Sequence, residues 1–332
     1  MDGLELVVAS EPTPALRRSV DALSARVQAV TGHAPLSEHQ RMVLARSSWV
    51  VEGGALDGHA AIGVVATLAG RVEPVGYSQL SGDRGRRELS LELLVDPGAT
   101  PVDAVSGALI GATLDLVAAV GGGIVRLWVP RAGEAGDALA TGHGFERERD
   151  LVQMRCPLPL PPAGDGPPEP SVTTRSFRPG LDERAWLATN NRAFASHPEQ
   201  GHWDLDTLVE REKEEWFDPE GFLVLESGGR MAGSCWTKVH AHTDPPMGEI
   251  YVVGVDPEFR GRGWGRALTR AGLDWLAARG LPVGMLYVDA ENRAAMSLYR
   301  SLGFVEDHVD RSYLRAVTPA RAPAGGGVSR RR

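Results

Sequence analysis

The sequence predicts a mixed α/β (α+β) protein made of two tandem copies of one unit, each a mostly antiparallel sheet flanked by helices. Three observations predict it. ELSLELLVDPGAT from Glu88 and GEIYVVGVDPEFR from Gly248 both end an apolar strand on Val-Asp-Pro. Downstream, VRLWVPRAGEAGDALATGHGFERERD aligns with VGMLYVDAENRAAMSLYRSLGFVEDHVD. Pro97 to Phe145 spans 48 positions where Pro257 to Phe304 spans 47, which reads as a tandem repeat. Between the copies, PLPLPPAGDGPPEP over 157–170 has too much proline and glycine for a helix or a central strand. It reads as a semi-rigid linker. The expected division is 1–156, the linker 157–170, 171–317, and a small, polar, basic tail over 318–332 that is expected to be disordered.

The elements of the second half follow in order. Residues 171–178 read as a strand, and 181–195 and 204–216 as helices. Residues 222–226 and 230–240 read as strands about the Gly228-Gly229 turn. A strand is expected over 249–255. The helix 266–279 follows, because Leu268, Ala271, Leu273, Trp275 and Leu276 form an apolar stripe and Gly280 then Pro282 stop it. A strand over 283–288 leads to a helix over 292–302, with Ala295, Leu298, Tyr299 and Leu302 on one face and Gly303 at its end. The sheet is therefore antiparallel early, with a β-α-β crossover late.

Composition narrows the class. A chain of 332 residues, 42% hydrophobic, suits two folded domains. A net charge of −8 and a pI near 5.6 argue against a general nucleic-acid binder. Two cysteines, Cys156 and Cys235, make no disulfide framework and suit a reducing cytoplasm. MDGLELVVAS is acidic where a signal peptide is basic. The run 106–125 contains Asp115 and glycines, so it reads as an amphipathic helix plus a turn, not a membrane span. A cytoplasmic monomer acting on a small molecule is expected, with no nucleic-acid or membrane partner.

The chemistry concentrates at GEIYVVGVDPEFRGRGWGR, from Gly248. A glycine-rich turn opening a helix leaves backbone N–H groups unpaired where the helix dipole favours an anion. Arg260, Arg262 and Arg266 add positive charge, so the segment suits a di- or polyphosphate. A Walker loop would end in Gly-Lys-Ser/Thr, which is missing. A dinucleotide fingerprint needs its third glycine elsewhere than 261, 263 and 265. The remaining pattern, Arg-x-x-Gly-x-Gly after a Val-rich strand and Asp-Pro, resembles the acetyl-CoA pyrophosphate loop of the Gcn5-related N-acetyltransferases.

That resemblance implies acetyl transfer from acetyl-CoA to an amine. The amine must lose a proton, the thioester carbonyl must be polarised, and the departing thiolate benefits from a donor. Glu249 is the candidate base, about 20 Å of strand before Val255 at ~3.3 Å per residue; the alternative is a solvent-facing strand glutamate. Tyr299 is the candidate acid, seven residues after Asn292 as in the superfamily; it also falls on its helix's apolar face and could be core. The resemblance further implies that the strand splays at Val253, Gly254 and Val255, whose amides would hold the carbonyl and pantetheine arm. A mid-strand Gly254 is compatible with that. The other coenzyme segments would be Arg260, Gly261, Arg262, Gly263, Trp264, Gly265 and Arg266, and Asn292, Arg293, Ala294, Ala295, Met296 and Ser297. No metal is expected: His240 and His242 lack a third ligand and read as a solvated loop. Cys235 reads as a small buried apolar residue.

HPEQG (197–201), WFDPEGFLVLE (216–226), WTKVH (236–240) and GEIYVVGVDP (248–257), with the tandem architecture, closely resemble the mycothiol synthase family. The resemblance implies acetylation of the cysteine amine of a cysteinyl pseudo-disaccharide, cysteinyl-glucosaminyl-inositol, giving mycothiol. It implies substrate contacts at Glu199, Lys238, Glu249 and Tyr287, and at Glu38 from the first half; carboxylates and an ammonium suit a polyhydroxylated amine. The first half departs from the pattern. Gly98 to Pro101 replace the basic glycine turn, and no tyrosine matches Tyr299. In that family the first domain is regarded as structural, or as binding coenzyme without turnover. Two other readings stay open: a tandem acetyltransferase for another amine, such as an aminoglycoside or a protein N-terminus, and a non-catalytic acyl-CoA-binding module.

Overall fold

The computed structural model describes residues 3–46, 48–49, 61–82, 88–99, 101–161, 172–197 and 200–320. Two compact units divide the chain, Met1–Asp150 with Val309–Arg332, and Leu151–His308. They do not follow the two halves in chain order, for a reason that lies in two long strands.

The first unit runs β1 (Leu4–Ala9), α1 (Pro14–Thr31), α2 (Glu38–Ala45), β2 (Ala61–Leu68), β3 (Gly76–Gly82), β4 (Glu88–Val95), α3 (Val102–Ala119), β5 (Gly123–Val129) and α4 (Glu134–Gly142). β1 to β4 pair antiparallel in sequence order, and β4 pairs parallel with β5. One face of this sheet packs Tyr77 and Leu94 against Val20, Leu23 and Val27 of α1 and Val43 and Leu44 of α2. The other face carries α3. By length and composition alone α3 could cross a membrane. It is instead a core helix, burying Val105, Leu109, Ile110, Leu114 and Val117, and its Thr113 shares a 2.8 Å hydrogen bond with Ser78 of β3. The expected helix plus turn over 106–125 is thus α3 followed by the glycines 121–123.

The second unit runs β7 (Thr174–Ser176), α5 (Glu183–Ala193), α6 (Leu205–Glu212), β8 (Phe222–Ser227), β9 (Arg230–His240), β10 (Met247–Val255), α7 (Trp264–Ala278), β11 (Val283–Asp289) and α8 (Arg293–Ser301). Every element expected from 171 to 302 is present, with ends shifted by a few residues. β7 to β10 are antiparallel neighbours, and β10 pairs parallel with β11. α7 lies on one face, close enough that a Cβ on Gly248 would stand 2.7 Å from Leu276 and one on Gly272 2.5 Å from Cys235. The other face holds an aromatic cluster. Trp236 is fully buried, stacks on Phe222 at 4.4 Å and meets Trp186 edge-on at 5.8 Å. Truncating such a ring costs about 3–5 kcal/mol, so this cluster is a main anchor of the unit.

Each unit takes its sixth strand from the other half. β6 (Glu146–Pro157) leaves the first unit at Asp150, and Leu151 through Pro157 pair antiparallel with β11. β12 (Val305–Val317) returns the exchange: Arg311 through Val317 pair antiparallel with β5. Charge holds it there. Arg311 donates to Asp137 and Asp150, each at 2.7 Å, and Ser312 to Glu148, which Arg126 also grips at 2.7 Å. Of the expected linker, Pro157 closes β6, and residues 162–170 lie outside the described residues, as do residues 321–332 of the expected tail.

Candidate active site

The site is built on β10 of the second unit. β10 and β11 share a ladder only from Met247–Val283 to Glu249–Met285. Beyond Glu249, β11 keeps its partner β6 on the other side, while β10 stays paired only with β9 through Val255. Alternate backbone groups of β10 therefore face an opening. A register shift between Ile250 and Val252 adds a bulge just where the strands part.

Below the opening is a pocket of about 220 Å³. Val253, Gly254 and Val255 line it from β10, Ala193 and Phe194 from the end of α5, and Gly265 and Thr269 from α7. Ala295, Leu298 and Tyr299 of α8 and the Arg260 side chain complete it. The structure thus gathers three separate predicted segments around one cavity.

The glycine turn has the conformation its sequence implies. Asp256, fully buried, caps the 3-10 turn Pro257–Phe259 through the Glu258 N–H at 3.0 Å and pairs with Arg192 at 2.9 Å. Burial opposes its charge, but Arg192 and the Glu258 N–H hold the carboxyl below the usual range. Gly261 and Gly263 sit at φ 78° and 76°, which side chains disfavour. Gly263 starts α7 with no side chain capping the first N–H groups. Arg262 lies over the stacked rings of Phe259 and Trp264, about 5 Å from each centroid. Arg260 donates to the Ala193 carbonyl at 2.9 Å, and Arg266 is turned back to Ser301 at the end of α8.

The remaining predicted residues divide. Asn292 caps α8 by accepting from the Ala295 N–H at 3.1 Å. Arg293, Ala294 and Ser297 are exposed, and Met296 is buried in the core, so in 292–297 only Ala295 lines the pocket. Tyr299 lines the pocket, and burial pushes its phenol well above the ordinary value, so it stays protonated. Lys238 lies directly opposite Glu249 in the β9–β10 ladder. Its ammonium sits over Trp216 at 4.4 Å and Tyr251 at 5.3 Å, far more enclosed than a surface lysine. Tyr287 stands two residues beyond Met285, the parallel partner of Glu249, so the three side chains share a face. Gln153 of β6 donates to the Tyr287 hydroxyl at 2.7 Å and accepts from Arg155 at 2.8 Å. Glu38 is the first residue of α2 in the first unit, and Glu199 lies outside the described residues.

Two residues differ from expectation. His240 ends β9, as the 230–240 strand implies, and instead of the solvated loop read for the His240 and His242 pair its Nε2 is 2.7 Å from Glu249 Oε2. Gln153 lies in the first half of the chain, outside the expected catalytic domain. Period-2 alternation from Lys238 could have found His240; Gln153 had no local signal. Cys235 is buried as expected, its thiol pushed up to about 12 by burial, as is that of Cys156. Among the described residues no group of three His, Cys, Asp or Glu side chains could hold a metal.

The first unit repeats the fork without its equipment. β4 and β5 pair only from Glu88 to Leu91. In the ungapped repeat Leu89 aligns with Glu249, but β4 lacks the bulge of β10 and Leu89 packs with Ile110 and Leu114 of α3; the buried Ala140 aligns with Tyr299. α3 starts from Pro101, with no glycine turn.

Comparison with known proteins agrees with this geometry. A family model described as the acetyltransferase (GNAT) family matches residues 183–304, all within the second unit. A mycothiol acetyltransferase of Acidimicrobium ferrooxidans is 42% identical over 92% of this chain and 96% of its own length. One of Thermobispora bispora is 52% identical over 68% of this chain and 75% of its own. Among solved structures, a GCN5-related N-acetyltransferase from Sphaerobacter thermophilus has a TM-score of 0.65 at 25% identity, covering 95% of this chain and 97% of its own. A tandem GNAT protein from the clavulanic acid pathway shares the fold, with a TM-score of 0.68 at 18% identity over 96% of this chain and all of its own. With relatives this similar along nearly its whole length, a forked strand above a glycine-turned helix start, and a tandem repeat, the chain belongs to the mycothiol acetyltransferase family.

Proposed function

We propose that the second unit moves the acetyl group of acetyl-CoA onto the cysteine amine of cysteinyl-glucosaminyl-inositol, releasing CoA and forming mycothiol. The observation that carries this is the fork. β10 leaves β11 at Glu249, so a carboxylate stands at the head of an opening whose far end is the uncapped start of α7. The amides of 260–266 suit the pyrophosphate, and the opening along Val253, Gly254 and Val255 suits the pantetheine arm and thioester.

In this reading the acceptor nitrogen attacks the thioester carbon as its proton passes to Glu249. Amides facing the opening stabilise the oxyanion. As the C–S bond breaks, Tyr299 gives its proton to the CoA sulfur and is later reprotonated from solvent. Tyr287 and Lys238, on the Glu249 face, are assigned to the sugar and inositol hydroxyls. The enzyme is read as a cytoplasmic monomer with a small-molecule acceptor and no metal.

The test supplies acetyl-CoA and a panel of amines, including this pseudo-disaccharide, an aminoglycoside and an N-terminal peptide, and follows free thiol release. Turnover is expected on the pseudo-disaccharide, and Glu249→Gln should lower kcat by about 10²–10⁴-fold, the usual worth of a general base. Turnover only on another amine would reject the acceptor; wild-type kcat in Glu249→Gln would reject the base.

A further inference from the structure

His240 is a titratable side chain that acetyl transfer as described above does not use. It ends β9, where its ladder partner is Met247, while Lys238 is opposite Glu249. Diagonal neighbours across an antiparallel pair share a face and are within reach of a long side chain. The imidazole takes up that position, with Nε2 2.7 Å from Glu249 Oε2. The Thr243 hydroxyl donates to the His240 carbonyl at 2.9 Å and holds the backbone as the strand ends. The His240 side chain is 26% exposed and the Glu249 side chain 10%, so the ring is the more open to water of the two.

We infer that His240 is a positioning residue for acetyl transfer, fixing one oxygen of Glu249 so that the other faces the acceptor amine, and tying the acid limb of catalysis to the pair. This rests on the reading of Glu249 as base. With a neutral ring, Nε2–H donates to Oε2 and leaves the lone pairs of Oε1 for the amine. The N–H bond of the acceptor breaks and an Oε1–H bond forms. A second proton on the ring makes it an imidazolium beside the carboxylate. That charge favours the ionised carboxylate, so Glu249 becomes a poorer proton acceptor. Activity should therefore fall as the ring protonates. The other charged and titratable groups near the pair are Lys238 on β9, Tyr251 on β10, and Tyr287 on β11. On β6 there is Arg155, paired with Asp307. On α6 are Glu212 and Arg211, which donates to the Tyr251 hydroxyl, and on β12 is His308, paired with Asp307, its ring 6.3 Å from that of Tyr287. α7 packs on the opposite face.

The experiment is the kcat–pH profile of wild type, His240→Ala, His240→Gln and Glu249→Gln at saturating substrates, with coenzyme A affinity by calorimetry as the folding control. His240→Ala should lower the plateau kcat by about 10- to 100-fold, at or below the usual worth of a general base, with coenzyme affinity unchanged. His240→Gln keeps an N–H donor near Oε2 and should recover most of that loss. It cannot titrate, so its acid limb should move to lower pH than that of wild type. Wild-type plateau and limb in both His240 variants, with Glu249→Gln inactive, would overturn the inference and leave the base in place. Equal losses in both variants with a wild-type limb would show a structural role and also overturn it. Full activity in Glu249→Gln would overturn the base assignment and this inference with it.

Discussion

Replacing Gly263 by aspartate should separate folding from coenzyme binding. Gly263 sits at φ 76° immediately before α7, whose first N–H groups have no side-chain cap. A side chain in this left-handed region costs about 1–2 kcal/mol, with aspartate among the better tolerated. A carboxylate at a helix start returns about 0.3–1 kcal/mol through the dipole. The net change in stability is therefore within about 1–2 kcal/mol. Binding has no such compensation. A unit charge about 5 Å from one phosphate charge at an effective dielectric near 20 is repelled by about 3 kcal/mol. That is a factor of about 100 or more in affinity, before the second phosphate is counted. Isothermal calorimetry with coenzyme A should show the Kd rising at least that much, while thermal unfolding moves by only a few degrees. Gly263→Ala carries the strain without the charge and should bind far better than the aspartate variant. An unchanged Kd in Gly263→Asp would refute the assignment of this turn to the pyrophosphate.

Other outcomes follow from the same structure. Tyr299→Phe should lower kcat by about 100-fold with little change in coenzyme affinity, because it removes the donor but keeps the ring in the pocket; steady-state kinetics with calorimetry checks this. Since burial raises the Tyr299 phenol, loss of its proton should produce no fall in wild-type kcat up to pH 10. Burial disfavours the charge of Asp182, but Arg175 and Arg178 outweigh it and bring the carboxyl down to about 2. Its contribution to stability is thus present above its unfolded value near 3.8 and lost as pH falls towards 2; urea unfolding of Asp182→Asn should show a flatter acid arm. Arg311→Ala should destabilise the first unit by about 1 kcal/mol, because Asp137, which is half-exposed, and Asp150 lose their shared partner on β12 but keep Tyr313 and Arg147 respectively; hydrogen exchange should report it in β5 and α4.

Local signals made much of this molecule legible before any coordinates. The order of elements from 171 to 302 follows apolar periodicity and glycine stops, and the turn at 260–266 follows from its spacing of glycines. What escaped depends on register or long-range pairing. β6 and β12 each serve two units with one continuous strand, and composition cannot reveal which strand each half meets. The strand expected over 230–240 reaches His240, but the contact of that residue with Glu249 escaped because it is set by the β9–β10 register. Within 292–297, side chains point in every direction around a helix, so only Ala295 turns to the pocket while Met296 enters the core. Resemblance alone singles out Lys238 as a substrate contact, and nothing local shows that Trp216 and Tyr251 cover it.

The most direct measurement is a crystal structure with acetyl-CoA bound. The pyrophosphate should lie against the amides of 260–266, with the pantetheine arm along Val253, Gly254 and Val255 and the thioester turned towards Glu249. Coenzyme bound away from the start of α7, or a thioester pointing away from the opening between β10 and β11, would contradict the account.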